Sequence, residues 1–97
     1  MHKFEITNAE GGAALPIRLT LEAQVNKVTG KDNEVIYIDL AVEPDVDVVD
    51  QTLVSFLTEK LQVKTGKIAI AAGRSLERKV VIIMGLTPRD IETRLFS

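Results

Sequence analysis

The chain lacks cysteine and tryptophan, and its 97 residues include only one histidine, one tyrosine and three phenylalanines. Without cysteine, disulfide bonds, thiolate catalysis and cysteine-ligated metal sites are excluded. The single histidine, His2, stands next to the first residue, where a catalytic base would lack the fixed position that proton transfer requires. So few aromatic rings also disfavour base stacking as the main means of binding RNA.

No apolar run approaches the roughly 20 residues of a membrane-spanning helix, and residues 1–5 lack the apolar core of a secretory signal. Apolar residues make up 45% of the chain and charged residues 27%, which is typical of a folded soluble domain. We therefore expect a single domain that is monomeric and cytoplasmic and has no contact with a membrane.

The charges are unevenly distributed, although the net charge is only −2. Residues 1–51 hold four cations and ten acids, whereas residues 52–97 hold eight cations and four acids. A net acidic chain is a poor general binder of nucleic acid. The second half can still present a basic surface, unless the two halves neutralise each other in the fold.

The first half of the chain predicts two strands. Residues 1–16 are poorly patterned and are interrupted by two consecutive glycines. Residues 17–25 alternate strictly between apolar and polar side chains, as in a half-buried strand. Residues 29–33 have turn composition, and 35–42 alternate again. Two strands joined by a short turn predict an antiparallel hairpin.

The second half predicts a helix, two strands and a closing helix. Apolar residues recur at helical spacing up to Leu61, and Asp45 or Asp47 is the expected N-cap. A strand is predicted from Lys67 to Ala72 and an apolar, central strand from Val80 to Met84. Thr87-Pro88-Arg89-Asp90 has the composition of a helix start.

These elements predict an α+β fold, a two-layer sandwich in β-β-α-β-β-α order. We expect a mixed four-stranded sheet with both helices on one face. Residues 17–97 would form the domain, preceded by the poorly patterned segment 1–16. The predicted core residues are Ile36, Ile38, Leu40, Leu53, Phe56, Leu57, Ile68, Ile70, Val81 and Ile83.

The element order and the spacing of several residues resemble the YggU-like family of small domains of unknown function, over roughly residues 17 to 95. The matching residues are Leu53, Phe56, Leu57, Leu61, Val63, Ile68, Ile70, Gly73, Ser75, Lys79, Val81, Ile83 and Gly85. The resemblance implies the same fold. It implies no activity, because the matching residues are distributed along the chain.

The chain departs from the family pattern in two loops. The family carries Ala-Pro-Pro and then Gly-Lys-Ala-Asn before its first helix, whereas this chain has Glu43-Pro44 and acidic residues in that region. In the second loop the family favours Ser-Arg-x-Lys. Here Glu77 replaces the arginine and Arg78 follows it. The resemblance therefore implies that any site built from both loops is altered in this chain.

The turn 74–79 is the best candidate site in the sequence. The candidate binding residues are Gly73, Arg74, Ser75, Arg78 and Lys79. Guanidinium and ammonium groups gathered on a turn suit phosphate or carboxylate recognition. The alternative is a solvated turn that keeps a hairpin polar and discourages edge pairing.

No other pattern in the sequence predicts a chemical site. The acidic run Glu43, Asp45, Asp47 and Asp50 lacks the glycine and late glutamate of a calcium loop, so helix capping explains it better. We predict no catalytic residues, no metal and no cofactor. The favoured function is a protein-interaction module with an unknown protein partner. The alternative is a weak binder of RNA or phosphate anions through the basic turn.

Overall fold

The computed structural model describes residues 7–9, 12–71 and 75–96, which contain six strands and two α-helices. Their bounds are β1 Thr7–Ala9, β2 Gly12–Thr20, β3 Lys27–Asp32, β4 Val35–Asp39, α1 Val46–Leu61, β5 Ile68–Ile70, β6 Arg78–Met84 and α2 Pro88–Phe96. A single 3₁₀ turn, Thr65–Lys67, precedes β5. The predicted α+β class is confirmed.

The strands form one mixed sheet in the order β3-β4-β2-β6-β5, and β1 pairs with the first residues of β2. β2 and β4 are parallel, and every other pair is antiparallel. The longest strand, β2, therefore lies at the centre, between β4 on one side and β6 on the other. As predicted, the apolar strand β6 is also central, since it lies between β2 and β5.

The predicted hairpin between residues 17–25 and 35–42 is wrong, because β2 and β4 run parallel. The chain leaves β2 at Thr20, and residues 27–32, mostly predicted as a turn, form the edge strand β3. The reversal occurs at Asn33, whose φ is 58°. Alternation identifies a strand but not the strand with which it pairs. The sheet also contains β1 and β3, which the sequence did not predict as strands of the four-stranded sheet.

The poorly patterned segment 1–16 contributes to the centre of the sheet, since β2 begins at Gly12. A Cβ atom on Gly12 would lie 2.6 Å from the carbonyl oxygen of Ile83 in β6. The missing side chain of Gly12 therefore permits a close approach of the β2 and β6 backbones. From the sequence alone, the two consecutive glycines suggested an interruption of regular structure. Ala13 and Leu15 follow it with fully buried side chains.

One apolar cluster forms the core between the sheet and both helices. Its buried members are Ala13, Leu15, Ile17, Leu19, Ile36, Ile38, Leu40, Val49, Leu53, Leu57, Leu61, Ile68, Val81, Ile83, Ile91 and Leu95. The β2 members are all odd-numbered, as a period of two requires for one face of a sheet. Of the predicted core residues, Phe56 and Ile70 are only partly buried.

The helix ends are fixed by side-chain hydrogen bonds. Asp45 Oδ1 accepts from the backbone N–H groups of Asp47 and Val48, at 3.0 and 3.1 Å, which confirms Asp45 as the N-cap of α1. Thr87 and Asp90 form the reciprocal pair expected at the start of α2. Neither described helix is long and apolar enough to cross a membrane.

We predict that Leu57→Ala lowers the free energy of unfolding by about 2–5 kcal/mol, since this side chain is fully buried on the core side of α1. Phe56→Ala should cost less, because Phe56 lies at the margin of the core. Urea unfolding of both variants measures the difference. A larger loss for Phe56→Ala would place the phenylalanine, and not Leu57, at the centre of the core.

Candidate functional site

The loops that flank α1 and β6 meet at one end of the sheet. β4 ends and α1 begins there, and the same end holds the last residue of β5 and the first residues of β6. The acidic segment 43–50 and residues 75–79 of the basic turn are therefore neighbours in space. Their proximity follows from the sheet order and is not visible in the sequence.

The structure describes three of the five predicted site residues, Ser75, Arg78 and Lys79, and it places the two cations among them on different faces of the sheet. Gly73 and Arg74 lie outside the described residues. Ser75 supports the turn, because its Oγ accepts a hydrogen bond from the backbone N–H of Arg78 at 3.2 Å. Arg78 and Lys79 are consecutive residues of β6, so they point to opposite faces of the sheet. The predicted cation cluster is thus divided between two surfaces.

Lys79 points inward and forms an ion pair with Asp50 of α1, with 3.0 Å between Nζ and Oδ1. The lysine side chain is 4% exposed and the aspartate side chain 38% exposed. A buried ammonium requires a nearby opposite charge, which Asp50 supplies. The buried Oδ1 has no partner with hydrogen-bond geometry, so the contact is ionic. The sequence indicated Asp50 only as a member of the acidic run 43–50, which helix capping explained.

A cavity of about 370 Å³ lies beside this ion pair. It is lined by Val46, Asp50, Ile70, Ala71, Ser75, Leu76 and Lys79. Because Asp50 already neutralises Lys79, the cavity offers an anion little net attraction from the described side chains. The described residues contain no group of three or more His, Cys, Asp or Glu side chains that could hold a metal ion.

A second cavity, of about 600 Å³, lies along α1. Its lining is mostly hydroxyl, amide and carboxylate side chains: Asn26, Gln51, Thr52, Ser55, Phe56, Thr58 and Glu59. Asn26 is used structurally, since its Oδ1 accepts a hydrogen bond from the backbone N–H of Ala41 at 2.7 Å. This cavity provides no cationic group and only one charged side chain.

The sheet face opposite the helices, here called the open face, is covered by neither described helix. Its side chains come from the alternate positions of β2, β4 and β6: Ala14, Pro16, Arg18, Thr20, Val35, Tyr37, Asp39, Arg78, Val80, Ile82 and Met84. Most are partly exposed, and the Met84 residue is 37% exposed. The open face is therefore a mainly apolar surface with two arginines and one aspartate.

Tyr37, Arg18 and Arg78 form a continuous row across three strands of the open face. Arg18 is paired with Tyr37 of β4 on one side and with Arg78 of β6 on the other. Sequence reasoning singled out Arg78 but missed Arg18, which is 60 positions away. No local signal could have identified it, because only the pairing of β2 with β6 makes the two arginines neighbours.

A cavity of about 220 Å³, here called the sheet groove, lies beside the two arginines. It is lined by Pro16, Ile17, Arg18, Val35, Arg78, Lys79 and Val80. The outward side chains among these combine three apolar residues with two guanidinium groups. An apolar depression with a few convergent polar groups is the usual composition of a binding site.

No known protein-family model matches the chain. The resemblance to the YggU-like domains therefore stays a prediction.

We predict that the two halves of the buried ion pair differ in their importance for stability. Asp50→Asn leaves a buried ammonium without a counter-charge and should cost about 3 kcal/mol. Lys79→Met removes the buried ammonium itself and leaves a carboxylate on a side chain that is 38% exposed, so it should cost less than Asp50→Asn. Urea unfolding measures both values. Equal losses would show that Lys79 is stabilised by something other than Asp50.

We predict that Arg78→Glu stabilises the fold, since it replaces a like-charge neighbour of Arg18 with an opposite charge. Cross-strand pairs contribute roughly 0.2–1 kcal/mol, so we expect a gain of that size at low salt and a smaller gain at high salt. Lys64→Glu is the control, because Lys64 is exposed and lies outside the sheet. A loss of stability in Arg78→Glu would contradict the proximity of the two arginines.

Proposed function

We propose that the protein is a non-catalytic interaction module that binds a protein partner on the open face of its sheet. The observation that carries this proposal is the apolar surface on the side of the sheet that no described helix covers. A sheet with one face on the core usually carries polar side chains on the other. Here Pro16, Val35, Val80 and Ile82 occupy four of those outward positions.

Contiguous exposed apolar surface is typical of binding regions, because a monomeric protein otherwise keeps its apolar patches small. The sheet is also firmly built at this place. β2 and β6 are paired along seven residues, which holds the outward side chains of both strands in fixed positions. A partner would therefore meet a preformed surface, and binding would require little ordering of the chain.

The alternative function, RNA or phosphate binding through the basic turn 74–79, has less support. Lys79 is buried and neutralised by Asp50, and Arg78 points to the other face. An anion at the turn would therefore not meet both cations. Tyr37 is the one tyrosine of the chain and lies on the open face, but single-stranded RNA is normally held by several stacked bases. Cytoplasmic location and a monomeric state remain predictions.

Affinity capture from the native cell tests the proposal. We expect the immobilised protein to retain a protein in stoichiometric amount, in the presence of nuclease. Ile82→Glu and Met84→Glu place a charge on the open face and should abolish this retention, because burying an unpaired carboxylate is costly. Thr93→Glu is the matched control, since Thr93 is exposed on α2.

The urea midpoints of all three variants establish that each one is folded. Retention that is equal for the wild type and both open-face variants would contradict binding on this surface. Retention that disappears on nuclease treatment would favour the RNA alternative.

A further inference from the structure

We propose that Arg18 and Arg78 together form a carboxylate-binding site, which selects a partner segment that carries an acidic residue next to an apolar one. This inference rests on the proposed function, because it specifies the chemistry of the partner that the open face would bind. It adds a residue, Arg18, that the sequence did not indicate, and it assigns different roles to the two cations Arg78 and Lys79.

The register of β2 and β6 places two cations side by side. Arg18 and Arg78 are directly opposite each other in an antiparallel pair. Side chains in this position have Cβ atoms about 4.5–5.5 Å apart, and two like charges there destabilise the sheet. A carboxylate placed between the two guanidinium groups would remove the repulsion and could accept hydrogen bonds from both. The arrangement is therefore costly without an anion and favourable with one.

Among the described residues, two lysines have acidic partners, in contrast to the two arginines. Lys79 Nζ lies 3.0 Å from Asp50 Oδ1, and Lys31 Nζ of β3 lies 2.5 Å from Glu92 Oε2 of α2. Within the described part of the chain, by contrast, neither Arg18 nor Arg78 has a carboxylate oxygen within 4.0 Å. The fold supplies an acid to each of the two lysines, whereas the described residues supply none to the arginine pair.

The sheet groove lies beside the two arginines and can hold an apolar side chain. Its volume of about 220 Å³ and its apolar residues Pro16, Val35 and Val80 suit one aliphatic side chain of a partner. An apolar group seated there would exclude water from the neighbouring arginines. Hydrogen bonds between guanidinium and carboxylate are stronger where water is excluded. The groove and the arginines would therefore recognise adjacent residues of the same segment.

A discrete carboxylate fits this surface better than a polyanion does. Asp39 follows Tyr37 by two residues in β4 and is paired with Lys27 of β3. Asp32 of β3 is paired with Val35, which precedes Tyr37 by two residues. Both acids therefore flank Tyr37 on the same face. A nucleic acid backbone that followed the row of Tyr37 and the arginines would pass close to these acids. Tight binding of nucleic acid needs several phosphate contacts, whereas a peptide needs only the two arginines.

The test is selection from a library of random heptapeptides displayed on phage, with the wild-type protein as the target. We expect the selected peptides to be enriched in Asp or Glu adjacent to Leu, Ile or Val. The double variant Arg18→Gln, Arg78→Gln should keep the apolar preference and lose the acidic one. A control double variant, Lys60→Gln and Lys64→Gln, changes the same charge away from the open face and should select as the wild type does.

A synthetic copy of the best peptide, with its acid replaced by the matching amide, should bind at least about tenfold more weakly to the wild type. The acid and amide forms of the peptide should bind equally well to the arginine double variant. Apolar enrichment without acids would overturn the carboxylate site and leave the interaction module standing. Selection that Ile82→Glu does not affect would overturn both. Tighter binding of a uridine oligonucleotide than of any selected peptide would also overturn the peptide site.

Discussion

The pairing of β2 with its two neighbours is the contact on which the rest of the structure depends. β2 is held by β6 along seven residues and by β4 along four, and it contributes four buried side chains to the core. The close approach of β6 requires the missing side chain of Gly12. The same pairing places Arg18 next to Arg78 on the open face. The core and the candidate site are thus consequences of one register.

The period of two along β6 places its first two cations in different surroundings. Arg78 and Lys79 are adjacent in sequence, yet the strand turns one toward solvent and the other toward α1. Lys79 joins the sheet to the first turns of the helix through Asp50. At the opposite end of α1, the Arg94 guanidinium donates a hydrogen bond to the carbonyl oxygen of Leu61 at 2.6 Å. Charged side chains therefore fasten α1 at both ends.

Both helices bury their apolar side chains in one cluster on one face of the sheet, which leaves the other face with a different composition. The buried leucine and isoleucine side chains lie on the covered side. The open side is not mainly polar, whereas a sheet face that only contacts solvent usually is. Its two arginines lie beside an apolar groove. An apolar depression with a few convergent polar groups is the usual composition of a binding site.

The sequence by itself determined the local features of this protein. The α+β class and the capping by Asp45 and by Thr87 with Asp90 follow from patterns and interactions between residues a few positions apart. The central position of β6 follows from its apolar residues on both faces. Only the tertiary structure decided that β2 and β4 are parallel, that β3 is a strand, and that Arg18 lies beside Arg78. The physical reason is that alternation specifies the face of each side chain and leaves the partner strand open, since strand pairing joins residues distant in sequence.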